Sequence, residues 1–175
     1  RVDEPDEKHV TLATSAARGV FPTTKGTRAN FTLVMSHKRR IEINAYCNQQ
    51  DRTGRDDAVE IKMPAAKQVD NNAPQTMWLW PGLRLIGAGH KVPKGIFVEV
   101  KACDGETVTL GNDLALTHAQ VCSSLRLCYA ITYASCQGLT LPGRVRLETQ
   151  STFLTTRHLY VGVSRATSSD LVEVA

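Results

Sequence analysis

No stretch of this 175-residue chain carries the ~18 to 20 consecutive apolar residues that a membrane-spanning helix requires. The charged start, Arg1 to Lys8, is not followed by the apolar core of a secretory signal. The sequence reads as soluble and not secreted; it does not begin with Met, so a processed product is compatible with it. Cysteine is scarce in pattern as well as number. The five thiols at 47, 103, 122, 128 and 136 include no C-x-x-C pair, which excludes a zinc-ribbon arrangement and gives no disulfide framework. Such thiols fit an intracellular, reducing compartment. Cys122 and Cys128 stand near His118, but one His at those spacings is no ligand set, and no metal is assigned. A phosphate cradle of the form G-x-x-x-x-G-K-[ST] is also missing. Gly87-Ala88-Gly89-His90-Lys91-Val92 approaches it without the Gly-Lys-Ser/Thr ending, and Asp3-Glu4 looks like an acidic magnesium box without an apolar strand before it.

What is present is enough for one full core, or for one core with a small inserted module. Apolar residues make up 42% of the chain, so a folded state is expected, and the net charge is +4. That charge suits a nucleic-acid partner without requiring one. The basic clusters Lys38-Arg39-Arg40, Arg52/Arg55 and Arg144/Arg146 serve equally as solvated faces or phosphate contacts.

Residues 1–30 read as a lead-in segment, acidic and proline-broken at first, then rich in Thr, Ala and Gly. Phe31 to Met35 reads as a buried strand. Ser36 reads as the N-cap of a helix running to Gln50 with Ile41, Ala45 and Tyr46 on one side. A strand feeding a helix is the unit of a parallel α/β sheet. The period then changes. Short alternating runs at 59–63, 83–86, 96–101 and 107–110, punctuated by Pro81-Gly82 and Asp104-Gly105, predict a small β-barrel over 59–110, SH3-like in size. Asp104-Gly105 predicts a type I′ hairpin. Trp78 and Trp80 fit either base stacking or the barrel core. After Gly111 the strand and helix period resumes. Residues 112–124 are expected as helix or loop with His118 exposed. A single buried strand over Leu125–Thr132, a turn and helix around Gln137, a strand over Arg144–Leu147 and a last strand over Asp170–Val174 follow.

Two blocks carry chemistry. Ala130-Ile131-Thr132-Tyr133-Ala134-Ser135-Cys136-Gln137-Gly138-Leu139-Thr140 ends an apolar run in Gln-Gly. About twenty residues later, Leu159-Tyr160-Val161-Gly162-Val163 ends in Ser164-Arg165-Ala166. An Arg capping a helix would look the same as the second block in isolation, and a strand with a glycine cap the same as the first. Together, in this order and spacing, they resemble the fifth and sixth motifs of superfamily 1 helicases, especially the RecD-type and herpesvirus helicase-primase branches.

That resemblance, over residues 30–175, implies an α/β fold: a RecA-like parallel sheet with helices on both faces, residues 31–58 and 111–175, with the SH3-like β-barrel of 59–110 inserted. It implies the C-terminal motor domain of an ATP-dependent nucleic-acid helicase of viral or mobile-element type. Arg165 would be the catalytic arginine finger. Gln137, Gly138 and Arg165 would contact ATP. Thr132, Ser135 and Thr140, with Ser36 and His37 from a weaker fourth-motif match, would contact the strand. The chain departs from the family pattern at Ala134, where His is usual, at Ser135, where Lys is usual, and at Cys136, where Ser or Ala is usual. Implied partners are ATP with Mg2+, whose ligands belong to an N-terminal RecA-like domain of the same parent protein, and single-stranded nucleic acid, DNA before RNA. Host nucleus or a viral replication site would suit it. Two rivals stay open: an RNA helicase domain of a positive-strand RNA virus, and a non-catalytic nucleic-acid-binding adaptor on the same fold. By itself the chain is expected to be inactive on ATP.

Overall fold

The computed structural model describes residues 28–63 and 73–175. Among them are eleven strands, three α-helices and one 3-10 turn, in the order β1 Phe31–Val34, α1 His37–Arg52, β2 Val59–Ile61, β3 Met77–Leu79, β4 Arg84–Gly87, β5 Phe97–Cys103, β6 Thr107–Leu110, β7 Ala115–Thr117, α2 His118–Ser124, β8 Leu125–Leu127, β9 Ala130–Thr132, β10 Val145–Leu147, α3 Thr156–Val163, the 3-10 turn Ser169–Leu171 and β11 Val172–Val174. They fall in two compact units, one ending at Arg40 and resuming at Tyr129–Ala175, the other Ile41–Cys128. The fold is mixed α/β, with one parallel sheet and two antiparallel ones.

The first unit holds the parallel sheet, in the order β11-β10-β1-β9. Every pairing in it is parallel, with Leu33 opposite Leu147 and Ile131, and Val145 opposite Val172. Strands covered on both faces need near-continuous apolar sequence, and Phe31, Leu33, Val34, Ala130, Ile131, Val145 and Leu147 are all buried. The charged pair Arg146–Glu173 sits directly opposite in this ladder, with Nε to Oε1 at 2.6 Å and Arg144 Nη1 at 3.9 Å from Oε2. α3 is the crossover from β10 to β11 and packs on the sheet through Leu159 and Val163.

The second unit holds a five-stranded antiparallel sheet, β7-β6-β5-β4-β8, and the pair β2-β3. The alternating runs read from the sequence become β2, β4, β5 and β6. The sheet reaches further than residue 110, because β7 and β8 are hydrogen-bonded into it. The expected single strand over Leu125–Thr132 is two strands. β8 pairs antiparallel with β4, whereas β9 pairs parallel with β1. An unbroken apolar run satisfies burial in either sheet, so its period carries no mark of the change.

Three local expectations are corrected. The β5–β6 connection is a hairpin, but Gly105 lacks the positive φ of a type I′ turn. Asp104 closes it by accepting the Glu106 and Thr107 N–H groups on Oδ1 at 2.8 and 2.7 Å, which also holds its carboxyl below the usual range. Residues 133–138 form hydrogen-bonded turns with no helix around Gln137. The covered stripe of α1 is not Ile41, Ala45 and Tyr46, since Ala45 is exposed and Tyr46 is 68% exposed; it is Arg40, Asn44 and Asn48. The asparagines are buried because they complete backbone pairing. Asn48 Nδ2 donates to the Trp78 carbonyl at 2.8 Å, the Trp78 N–H donates to Asn48 Oδ1 at 2.7 Å, and Asn44 Nδ2 donates to the Leu127 carbonyl at 3.2 Å.

Candidate functional site

Four parallel strands direct every exiting turn to one edge of the sheet, the edge where open α/β folds bind ligands. Val34 lies opposite Thr132, and the Tyr133 N–H donates to the Val34 carbonyl at 3.0 Å, so the turns leaving β1 and β9 are neighbours. After β1, Ser36 Oγ accepts the Arg39 N–H at 3.1 Å and caps α1, whose first residue, His37, is half-buried. After β9, Thr132 faces inward at 3% exposure. Its hydroxyl donates to Ser135 Oγ at 2.8 Å and accepts the Ser135 N–H at 3.2 Å. Thr132 thus braces the turn, while Ser135, Gln137, Gly138 and Thr140 are exposed. Gly138 has φ +79, a conformation L side chains rarely adopt, so the turn needs glycine there.

Cys136 is fully buried inside the turn, with its thiol directed at the Tyr133 carbonyl at 3.2 Å. Burial pushes that thiol up to about 11, against the opposing pull of the Arg165 charge. The sequence departure from Ser or Ala at this position is therefore a swap among small buried residues.

Arg165 follows α3, beyond its C-cap Ser164. The helix lies close on the sheet because Gly162 has no side chain. A Cβ there would stand 2.7 Å from Leu147 Cδ2, 3.0 Å from Tyr133 Cε1 and 3.2 Å from Leu33 Cδ1. The Arg165 carbonyl accepts the Leu141 N–H at 2.8 Å. Its guanidinium is half-buried. Nη1 donates to the Leu139 carbonyl at 3.4 Å, and Nε and Nη2 donate to Ser164 Oγ at 3.3 and 3.1 Å. Leu139 immediately follows Gly138, so the cation stands against the returning limb of the Gln-Gly turn. Of a guanidinium's five N–H donors, three are used in these bonds, which leaves two (5 − 3). Among the described residues no carboxylate pairs with Arg165. A fixed, unneutralised cation with spare donors can grip an oxyanion.

The structure thus brings the singled-out residues into two groups. Ser36, His37, Thr132 and Ser135 gather at the carboxyl edge. Gln137, Gly138, Thr140 and Arg165 lie along the limb that returns from it.

Other candidates are accounted for by their neighbours. Trp80 is buried with the Arg55 guanidinium 4.8 Å from its ring, and Trp78 is half-buried beneath Arg52 at 3.7 Å. Arg39 pairs with Glu148 at 2.6 Å. The Gly87–Val92 segment is no phosphate cradle, because most of its amides already donate to protein acceptors. Ala88 N–H donates to the Ser124 carbonyl at 2.7 Å, Lys91 N–H to Ser124 Oγ at 3.3 Å, and Gly89 and Val92 bond each other at 3.0 and 3.3 Å. His118 is half-buried, with Nε2 3.1 Å from the Asp104 carbonyl. Asp3-Glu4 lies outside the described residues. Among the described residues no group of three or more His, Cys, Asp or Glu could hold a metal ion. Sequence reasoning passed over Glu148, Phe153 and Arg157 at the carboxyl edge, which no motif marks.

No family model and no curated protein matches the chain. Solved structures do. Pif1 helicases coordinating in pairs at forked double-stranded DNA match with a TM-score of 0.61 at 16% identity over 98% of this chain and 47% of theirs. Bacteroides Pif1 bound to single-stranded DNA matches with a TM-score of 0.61 at 15% identity, over 98% of this chain and 49% of its own. Pif1 helicase from Candida albicans matches with a TM-score of 0.58 at 14% identity, over 99% and 54%. The chain therefore spans about half the length of the helicases it resembles. At these identities the shared property is the fold.

Proposed function

We propose that this chain is the second RecA-like motor domain of a superfamily 1 nucleic-acid helicase, with the antiparallel sheets of its second unit as an SH3-like module inserted into that domain. One observation carries the reading: the Arg165 guanidinium is held by Ser164 and Leu139 beside the Gln137–Gly138 turn, with donors to spare and, among the described residues, no carboxylate paired with it. Phosphoryl transfer needs positioning and compensation of charge on the transferring group rather than covalent chemistry. Arg165 supplies the cation, Gly138 lets backbone approach the nucleotide, and Gln137 links nucleotide to strand. Ser36, His37, Ser135 and Thr140 contact strand phosphates, with Thr132 positioning Ser135. The cradle for the triphosphate and the ligands for Mg2+ belong to an N-terminal RecA-like domain of the same parent protein. Mg2+ neutralises the phosphates when bound.

DNA is favoured over RNA because the Pif1 helicases with this fold include one bound to single-stranded DNA and one with ADP-AlF3 and single-stranded DNA, the latter at a TM-score of 0.58. A viral or mobile-element setting follows only from the motif pattern, as does the RNA-helicase alternative. Matched DNA and RNA oligonucleotides separate these, a marked RNA preference favouring the rival. The test of the motor itself is strand-stimulated ATPase. The chain alone should show none. Joined to its N-terminal partner domain it should turn over, and Arg165→Ala should lower turnover by about 10³-fold or more. Turnover by the isolated chain that vanishes in Arg165→Ala would refute the half-site reading, and an inactive joined protein that still binds strands would favour the adaptor.

A further inference from the structure

Phe153 is 80% exposed, the most exposed of the large apolar side chains among the described residues. It stands in the connection from β10 to α3, which leaves the sheet at the same carboxyl edge as Ser36 and Ser135. The connection is anchored there. The Glu148 N–H donates to the Leu33 carbonyl at 3.0 Å, and Glu148 Oε1 accepts Arg39 Nε at 2.6 Å, beside the first turn of α1. Ser151 then forms a tight turn, its Oγ accepting the Phe153 N–H at 3.3 Å and its carbonyl accepting the Leu154 N–H at 3.1 Å. A hydrogen-bonded turn therefore presents the ring to solvent.

The charges around it point to what meets the ring. Arg157, in the first turn of α3, is exposed and has no ion pair or hydrogen bond among the described residues; Lys38, in the first turn of α1, is the same. Neither first turn holds an acidic residue. A cation at a helix N-terminus opposes the helix dipole, so the fold gains nothing from Arg157 or Lys38 where they stand. Two helix starts, two unpaired cations and one presented aromatic ring on one edge suit a polyanion that also carries flat π-faces.

We propose that Phe153 stacks on a base of the bound single strand while Arg157 pairs with a neighbouring phosphate, so that the strand's path runs from Ser36, His37 and Ser135 onto the β10–α3 loop. This rests on the single-strand reading given above. Stacking on a protein aromatic is tolerant of sequence because every base has a π-face.

The experiment measures binding of the full chain to a fluorescent oligothymidylate and to an abasic strand of equal length, across a salt series. Phe153→Ala should weaken oligothymidylate binding by about 5- to 100-fold, spare the abasic strand, and be rescued by Phe153→Tyr. Arg157→Gln should weaken both strands and reduce the salt slope by about 0.7. The thermal midpoint of Phe153→Ala should match the parent, since so exposed a ring adds little to the core. Unchanged binding by Phe153→Ala overturns the inference alone, as does an equal loss on both strands. A change in self-association without a change in binding also overturns it, by assigning the ring to a protein contact. Failure of the unaltered chain to bind any single strand overturns the inference and the strand track beneath it together.

Discussion

Asn48 acts as a missing strand. Trp78 lies opposite Glu60 in the β2–β3 pair, yet both its backbone N–H and its carbonyl point to the Asn48 side chain, at 2.7 and 2.8 Å. The amide thereby does for β3 what a neighbouring strand would do. Asn48→Leu keeps the side-chain size and removes both bonds. Each backbone group left unpaired in a buried setting costs about 1 to 3 kcal/mol, and the added apolar burial returns about 1 kcal/mol. Water reaching the half-buried Trp78 sets the lower end, for a net loss of about 1 to 5 kcal/mol. With a urea slope of about 2 kcal/mol per molar, the unfolding midpoint should fall by roughly 0.5 to 2.5 M. Asn48→Asp adds a test of sign. Its carboxylate would face the Trp78 carbonyl in a site only 2% exposed, so burial and repulsion raise its folded pKa above the unfolded value. Such a group stabilises below its unfolded pKa and loses that stability as pH rises through its folded pKa. The Asp variant should therefore be the weaker protein at pH 7 and recover toward pH 4. A Leu variant within about 0.5 kcal/mol of the parent, or an Asp variant indifferent to pH, would refute the pairing argument.

Further outcomes follow from the same contacts. Gly162→Ala gains about 1 kcal/mol of helix propensity but drives a methyl into Leu147, Tyr133 and Leu33, all buried. Overpacking of about 1 to 3 kcal/mol should outweigh the gain in urea unfolding, and Gly162→Val should be clearly worse. Glu173→Gln leaves Arg146 facing a neutral partner and should cost about 1 to 3 kcal/mol, whereas replacing both Arg146 and Glu173 by apolar residues should cost less than the single change. Alkylation needs the thiolate, and burial pushes Cys128 up to about 12 and Cys136 up to about 11. At pH 7.5 both should resist iodoacetamide in the folded chain, as read by mass spectrometry, and react once it is unfolded. On the motor reading proposed above, Ser164→Ala in the chain joined to an N-terminal RecA-like domain should lower turnover more than strand affinity, because Ser164 Oγ receives two of the three hydrogen bonds that aim Arg165.

Short-range preferences were legible. Ser36 caps α1 as its hydroxyl and position require, and the alternating runs became β2, β4, β5 and β6. Where the sequence misled, a distant partner had decided. Asn44 and Asn48 look like solvent residues until the backbone groups of Leu127 and Trp78, more than 25 positions away, are set beside them. Asp104-Gly105 turned the chain as expected, but through the carboxylate rather than the glycine.

The amino-acid order thus determined on its own the alternating strands β2, β4, β5 and β6, where α1 starts, and that a Gln-Gly turn and a Ser-Arg pair exist to be used, because propensity, capping and turn chemistry act over a few residues. Tertiary structure alone decided that Leu125–Thr132 divides between two sheets, that Arg165 meets the carbonyl of Leu139 twenty-six positions earlier, and that Phe153 stays in solvent at the edge where the strands end. Those outcomes depend on which surfaces remain uncovered once every other element has been paired, and no local window of sequence contains that information.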